Sequence, residues 1–193
     1  MASREALCGK LQKDIDLKSS AAHYYKLWRK ESHKIPTASS PNVQAVALHE
    51  GDWHTHGAIK TWNYTIGRLR FAVYIFSVGP GIVTPALTRI VVSNTTGWAE
   101  LINDGKPTVL KEKVGFNDAN MTITIHGIEG DLYNELKVFR LTIKVIPKNN
   151  GSVAKLAIEY ERLNEDMPIP NNYMDLVVSV VQDTDAHVHR AST

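Results

Sequence analysis

Apolar and polar residues alternate along most of this chain, and the alternation predicts β-strands. Strands are predicted at residues 11–17, 43–47, 59–64, 109–114, 121–125, 139–145 and 156–161. Each of them has one apolar face, which is typical of antiparallel sheets that expose their other face to water. Clusters of turn-forming residues separate the later strands. The pattern therefore predicts an antiparallel sheet with a single buried face.

Helical spacing occurs in three places. Ser19 or Ser20 can cap a helix over residues 21–30, and a second, short and irregular helix is predicted near Pro41–Gln44. After Asn172, apolar residues recur every three or four positions in one long amphipathic helix. Such a helix has to bury its apolar stripe, and the apolar face of the sheet is the available partner. Because a curved sheet and a helix do not match in shape, we expect a gap between them.

The stretch 49–64 combines a glycine-containing turn with a strand. The strand alternates so that Lys60, Trp62 and Tyr64 share one face. Two aromatic rings beside a lysine suit the wall of a site for a flat apolar molecule. They suit the ordinary core of a sheet equally well, and this stretch alone does not separate the two readings.

Residues 66–102 differ in character from the rest of the chain. They contain three arginines and one glutamate, which together account for the formal net charge of +2. The run from Phe71 to Thr88 has 18 residues and no charge, which reaches the length of a transmembrane helix. Glycine and proline residues near its centre disfavour a membrane-spanning helix.

Other interpretations of residues 66–102 fit better. In the first, residues 71–78 and 82–92 form a hairpin around Gly79-Pro80-Gly81, with Pro85 on an edge strand. In the second, the segment is a retained intron or a disordered loop within a single domain that spans the whole chain. Its removal would join WNYT to NDGKPTVLKEK as strand, Asp-Gly turn and strand, and we therefore favour a retained intron.

Composition narrows the class of protein. A chain of 193 residues with 43% hydrophobic content is long enough for one domain with a sizeable core. The small net charge, without a basic run, does not indicate a nucleic-acid partner. The single Cys8 excludes an internal disulfide framework, and the N-terminus lacks the apolar run of a signal peptide. These features predict a cytoplasmic protein.

Three histidines near the turn, His49, His54 and His56, raise the question of a metal site, because His-x-His on a strand places both rings on one face. Solvent-exposed loop histidines are the favoured interpretation, since no carboxylate stands at the spacing of a known site. The sequence also contains no phosphate-binding Walker loop and no serine or cysteine triad arrangement. We therefore expect no metal and no cofactor.

Several short motifs, in order along the chain, resemble those of the plant major latex proteins. They are LHEGDW, GAIKTWNY, NDGKP, IEGDL, KVIPKNNGS, EYERLNED and DTDAH. That group is part of the birch pollen allergen and class-ten pathogenesis-related superfamily, and the resemblance covers nearly all of the chain outside residues 66–102. It implies an α+β helix-grip fold, in which a seven-stranded antiparallel sheet wraps around a long C-terminal helix, with two short helices and a hydrophobic cavity.

The resemblance also implies candidate site residues, each of which could equally be plain core. The family's cavity-facing positions correspond to Lys60, Trp62, Tyr64, Ile123, Ile125, Phe139, Leu141, Ile143, Leu156, Ile158, Tyr160, Tyr173, Val177, Val180 and Val181. Its glycine-rich loop corresponds to Gly51, Asp52, Trp53 and Gly57, with His54 where related proteins usually carry glycine. A phosphate cradle needs free backbone N–H groups and little side-chain bulk, so this loop is not expected to bind phosphate or RNA.

The function implied by the resemblance is the binding, and the sequestration or transport, of a steroid-, flavonoid- or hormone-like ligand in plant defence or stress response. It implies a monomer that is not an enzyme and has no nucleic-acid or membrane partner. The alternative is a weak enzyme of the same superfamily, either a ribonuclease or a condensation catalyst that uses Lys60. Residues 127–130 read Gly-Ile-Glu-Gly where hormone receptors carry Gly-Leu-Pro-Ala, so an abscisic-acid receptor is not expected.

Overall fold

The structure is a computed structural model that describes residues 4–67, 70–74, 88–92, 98–103 and 105–192. Strand labels follow chain order. Seven strands form the main sheet: β1 (Cys8–Leu17), β2 (Val43–Glu50), β3 (Ile59–Ile66), β7 (Lys106–Asn117), β8 (Thr122–Gly130), β9 (Leu136–Pro147) and β10 (Ser152–Arg162). Three short strands form a separate sheet: β4 (Arg70–Tyr74), β5 (Thr88–Val92) and β6 (Trp98–Asn103).

The main sheet has the strand order β1-β10-β9-β8-β7-β3-β2, and every neighbouring pair is antiparallel. Burial alternates along its strands as the sequence predicts. In β9, for example, Phe139, Leu141 and Ile143 are buried, whereas Arg140 and Lys144 are exposed. The buried side chains define an inner face, and the charged ones an outer face in contact with water.

Four α-helices complete the described chain: α1 (Arg4–Leu7), α2 (Ala21–Lys30), α3 (Ile35–Ala38) and α4 (Asn171–Ser192). Ser20 caps α2, because its side chain accepts a hydrogen bond from the backbone N–H of His23 at 3.4 Å. The second short helix lies at α3 and not near Pro41–Gln44. Pro36 stands in the first turn of α3, where its fixed backbone angle favours a helix and its missing N–H has no partner to lose.

Helix α4 packs on the inner face of the sheet, against β1, β3, α2 and α3. Polar contacts hold its C-terminal half. The carboxylate of Asp185 accepts hydrogen bonds from the backbone N–H groups of residues 18 and 19, at 2.9 and 3.0 Å. Thr184 Oγ1 lies 3.0 Å from the hydroxyl of Tyr24. The carboxylate of Asp183 accepts a hydrogen bond from the hydroxyl of Ser39, the residue after α3. The sheet, the long helix and the two short helices confirm the predicted helix-grip fold.

Part of the segment 66–102 lies in the separate three-stranded sheet, in which β6 is the central strand. The pairing differs from the hairpin that the sequence suggested, because β4 pairs with β6 and not with β5. The proposed hairpin turn at Gly79-Pro80-Gly81 and the proposed edge residue Pro85 lie outside the described residues. The origin of the segment as a retained intron stays a prediction.

The chain leaves the main sheet at the end of β3 and re-enters it at the start of β7, and these two points are adjacent in the sheet. Strands β3 and β7 stay paired up to Ile66 and Lys106, which are direct cross-strand partners. The next residue on each side is a glycine with a positive φ, 75° at Gly67 and 66° at Gly105. A positive φ is freely available to glycine, so both strands can turn away from the sheet here without strain. The extra residues are thus attached at the tip of a hairpin whose register is complete.

Candidate functional site

An apolar cavity of about 90 Å³ lies between the N-terminal half of α4 and the inner face of the sheet. Aromatic residues form much of its wall: Trp28, Trp62, Tyr64, Phe139 and Tyr173. Four of these rings form two pairs. The ring centroids of Trp28 and Trp62 are 6.5 Å apart, and those of Phe139 and Tyr173 are 5.9 Å apart. Both separations fall in the range of favourable aromatic contacts.

The predicted cavity residues separate into two groups in the structure. Eight line the cavity: Trp62, Tyr64, Ile125, Phe139, Leu141, Tyr173, Val177 and Val180. Seven do not line it and are buried in the surrounding core: Lys60, Ile123, Ile143, Leu156, Ile158, Tyr160 and Val181. The strand residues of both groups lie on the inner face of the sheet, as their alternation predicts, but the cavity occupies only the part of that face beneath α4. Ligand binding by the first group stays a prediction.

Six further residues line the cavity and were missed by the sequence reasoning: Trp28, Ile35, Val43, Leu110, Glu112 and Leu176. Glu112 is the exceptional member, because it is an acid in an apolar wall. A signal for it was present in the sequence. Leu110, Glu112 and Val114 alternate along β7, so a carboxyl group had to share the inner face with two apolar side chains.

Glu112 and Lys60 are direct cross-strand partners on β7 and β3, and both are buried. Burial raises the pKa of Glu112 to about 7, although the nearby Trp62 indole and the Lys60 ammonium act in the opposite direction. Burial likewise lowers the pKa of Lys60, partly offset by the charge of Glu112. Both shifts favour the neutral forms, which shows how strongly this part of the protein disfavours charge.

The ammonium group of Lys60 is held away from the cavity. It donates hydrogen bonds to Ser32 Oγ at 2.8 Å and to the backbone oxygen of Trp53 at 3.2 Å. It also lies 5.5 Å from the ring centroid of Trp53 and 5.8 Å from that of Phe116, within the range of cation–π contacts. Lys60 therefore joins β3 to the segment after α2 and to the glycine-rich loop.

Three buried polar atoms of cavity-lining residues have no hydrogen-bond partner among the described residues: Trp28 Nε1, Trp62 Nε1 and Tyr64 Oη. Burial raises the pKa of Tyr64, and burial together with Glu135 and Asp131 raises the pKa of Tyr173 to about 12. Both phenols are therefore neutral hydrogen-bonding groups at physiological pH. Buried donors without partners are uncommon in folded proteins, and each requires an explanation.

The glycine-rich loop, with Gly51, Asp52, Trp53 and Gly57, connects β2 to β3. Gly51 and Gly57 have φ values of 79° and 87°, which side chains other than glycine rarely adopt. The backbone N–H groups of residues 55, 57 and 58 bond to other backbone oxygens. The loop directs the oxygens of Trp53 and His54 at the cationic side chains of Lys60 and Arg29. These three N–H groups are therefore not available to a phosphate group.

The three loop histidines do not meet at a metal site. His56 Nδ1 accepts a hydrogen bond from the backbone N–H of Phe116 at 3.2 Å, and His49 is exposed on β2. Across the described residues, no group of three or more histidine, cysteine or acidic side chains could hold a metal ion. In the same part of the chain, no helix has the length and apolar character needed to cross a membrane.

An antiparallel sheet that grips one long helix over an apolar cavity defines the class of helix-grip proteins. The sequence profile of the Pathogenesis-related protein Bet v 1 family matches residues 6–70 and 94–191 of this chain. This chain belongs to the Bet v 1 family.

Its relatives include the major latex proteins that the sequence motifs suggested. The chain is 34% identical to MLP-like protein 328 of Arabidopsis thaliana over 96% of this chain and 99% of that protein. It is 29% identical to major latex protein 146 of Papaver somniferum, over 94% and 92%. The crystal structure of major latex-like protein 151 from Panax ginseng superposes with a TM-score of 0.72 at 25% identity, over 94% and 97%.

The family match also bears on the segment 66–102. It skips residues 71–93, which lie inside the predicted boundaries of the extra segment. Residues 94–103 are matched even though β6 belongs to the separate sheet. The boundaries of the extra segment at residues 66 and 102 stay a prediction.

Proposed function

We propose that this protein binds hydrophobic small molecules in the cavity beneath α4, and that it sequesters or transports them in plant defence or stress response. The observation that carries the proposal is the aromatic and aliphatic wall of that cavity, which lies between the helix and the sheet. Concave, mostly apolar sites with a few polar groups are typical of small-molecule binding. Membership of the Bet v 1 family supports the same function.

The size of the cavity sets a condition on ligand binding. An apolar cavity of about 150 Å³ is large enough for benzene, whereas this cavity measures about 90 Å³. A ligand with several rings, such as a steroid or a flavonoid, therefore requires the wall to move. The C-terminal half of α4 is fixed by Asp183, Thr184 and Asp185, whereas the half that lines the cavity contributes Tyr173, Val177 and other largely apolar residues. We infer that the N-terminal half of α4 moves outward when the ligand enters.

Fluorescent-probe binding tests the proposal. N-phenyl-1-naphthylamine is neutral and apolar, and we expect its fluorescence to rise saturably with the protein and to fall when an unlabelled apolar competitor is added. Val177→Phe should weaken the binding because it fills the cavity from α4. Val138→Phe, at an exposed position on β9, is the matched control and should leave the binding unchanged. Absence of saturable, displaceable binding would contradict the proposed function.

The weak-enzyme alternative receives less support from the geometry. A condensation catalyst of this type needs the Lys60 amine within reach of the substrate, but that amine bonds to Ser32 and Trp53 and does not line the cavity. A ribonuclease role for the glycine-rich loop needs backbone donors, and the N–H groups of residues 55, 57 and 58 already bond to backbone oxygens. If such an activity exists and depends on Lys60, Lys60→Met should abolish it; unchanged turnover would exclude that lysine as the catalytic group.

A further inference from the structure

The cavity wall contains polar groups that its apolar surroundings do not satisfy. Three of them, the indole N–H groups of Trp62 and Trp28 and the hydroxyl of Tyr64, have no partner among the described residues, and the exposed fractions of these residues are 8%, 7% and 5%. The fourth polar group is the carboxyl of Glu112, which is 2% exposed. An unsatisfied buried donor destabilises the folded protein relative to one that has a partner. A ligand that carried a matching polar group would remove part of this cost on binding.

Among these groups, Glu112 and Trp62 form the most complete recognition unit. They lie on the neighbouring strands β7 and β3, and the indole N–H is close enough to the carboxyl group to lower its pKa. The N–H nevertheless forms no hydrogen bond of normal geometry within the described residues. The other two donors have hydroxyl groups of the protein nearby, Tyr24 beside Trp28 and Tyr173 beside Tyr64.

The two groups differ in what they can exchange with a ligand. An indole N–H only donates a hydrogen bond, whereas a carboxyl group accepts one in either protonation state. A hydroxyl group both donates and accepts, so one hydroxyl placed between Trp62 and Glu112 can satisfy both. A carbonyl oxygen can satisfy both groups only while Glu112 is protonated, because an ionised carboxylate has no proton to donate, and a methyl group satisfies neither.

The charges around this point favour a neutral ligand. The buried Lys60 ammonium is the cross-strand neighbour of Glu112. Burial lowers the pKa of Lys60 and raises the pKa of Glu112, so it favours the neutral form of each group. A ligand carboxylate would place a second acid beside Glu112, and a ligand ammonium would place a second cation near Lys60. Bringing an additional charge into this region would add a further desolvation cost.

We propose that Glu112 and the indole N–H of Trp62 form a polar anchor that selects neutral ligands carrying a hydroxyl group on an apolar ring. The inference rests on the proposed function, because it presupposes that a ligand enters the cavity. It goes further by naming the two residues that determine specificity and the chemical group they recognise.

Phenol and toluene provide the test, since they differ by a hydroxyl in place of a methyl group. Both are titrated into the full-length ¹⁵N-labelled protein, and binding is followed through the indole N–H signals, with that of Trp62 assigned from Trp62→Phe. We expect phenol to bind about tenfold more tightly than toluene, the effect of one well-placed hydrogen bond. Benzoate at pH 8 should bind more weakly than toluene.

Two variants and one control locate the anchor. Glu112→Leu and Trp62→Phe keep apolar volume in the wall and should each reduce the preference for phenol to less than threefold. Glu129→Gln changes an exposed acid on the outer part of β8 and should keep the tenfold preference. In each variant, a change in the remaining indole N–H signals when toluene is added shows that the protein is folded and keeps its cavity.

The outcomes separate the anchor from the proposed function. If phenol and toluene both bind with equal affinity, or if the preference for phenol survives in both variants, the anchor is wrong while the proposed function stands. If neither compound binds and N-phenyl-1-naphthylamine also fails, the proposed function itself is contradicted. Tighter binding of benzoate than of toluene would overturn the selection for neutral ligands.

Discussion

Replacing Glu112 with Gln should make the protein more stable, and the gain should grow with pH. The pKa of this acid rises from an ordinary value of 4.5 to about 7 in the folded protein, mainly through burial. The folded state therefore holds the proton more tightly than the unfolded state, and wild-type stability falls as the pH increases from 4.5 to 7. At about 1.4 kcal/mol per pH unit, that difference amounts to about 3 kcal/mol. Gln resembles the protonated acid in shape and never ionises.

Urea denaturation at pH values from 4.5 to 8, followed by far-ultraviolet circular dichroism, measures this effect. The difference in unfolding free energy between Glu112→Gln and wild type should rise by about 3 kcal/mol across that range and level off near pH 8. Acids with lowered pKa values, such as Asp118 beside Arg29, contribute equally to both proteins and cancel. Glu129→Gln controls for the loss of an exposed acid. A difference that stays constant with pH would refute the assignment of a raised pKa to Glu112.

Three further predictions concern the frame around the cavity. Asp185→Ala should lower the free energy of unfolding by about 3 kcal/mol in urea denaturation, because one buried and one partly buried backbone N–H group lose a charged acceptor; a loss under 1 kcal/mol would contradict this. Gly130→Ala should lower the melting temperature far more than Gly67→Ala, since a Cβ at 130 would lie 2.2 Å from the oxygen of Val109 and one at 67 meets no atom within 4 Å. Deleting residues 68–104 should leave a folded protein by circular dichroism, because Gly67-Gly105 then forms a two-residue hairpin turn; an unfolded product would show that the segment is required.

Much of the fold could be predicted from periodicity, because a strand with one buried face has apolar residues at every second position of its sequence. Apolar residues recur at every second position from Phe139 to Val145 and from Leu156 to Tyr160, and the structure buries all seven of them on the inner face. The α4 stripe is equally regular. The second short helix was misplaced because it has only four residues, too few for a helical period to show, and its start depends on a single proline.

The site was harder to predict than the fold, for a physical reason. Alternation identifies which side chains face inward, but it does not distinguish a position that touches the cavity from one packed against other core residues. Ile123 and Ile125 show this, because both are buried on β8 and only Ile125 lines the cavity. That distinction depends on where α4 crosses the sheet. Lys60 lies outside the cavity lining for a related reason, since its ammonium group bonds to Ser32 and to the glycine-rich loop.

The position of the extra segment has a direct consequence for the cavity. Tyr64 pairs with Thr108 and Trp62 with Leu110, while the last pair before the segment is Ile66 with Lys106. Pairing with β7 is therefore complete along β3, both before and after the cavity residues, and it holds them in register. Residues 68–104 begin only after that pairing ends. An insertion at a hairpin tip changes the length of a loop and not the register of the strands. The cavity wall and the buried pair behind it thus belong to the part of the chain that is shared with the Bet v 1 family. Ligand binding should therefore depend on Glu112, Trp62 and α4, and should be independent of residues 68–104.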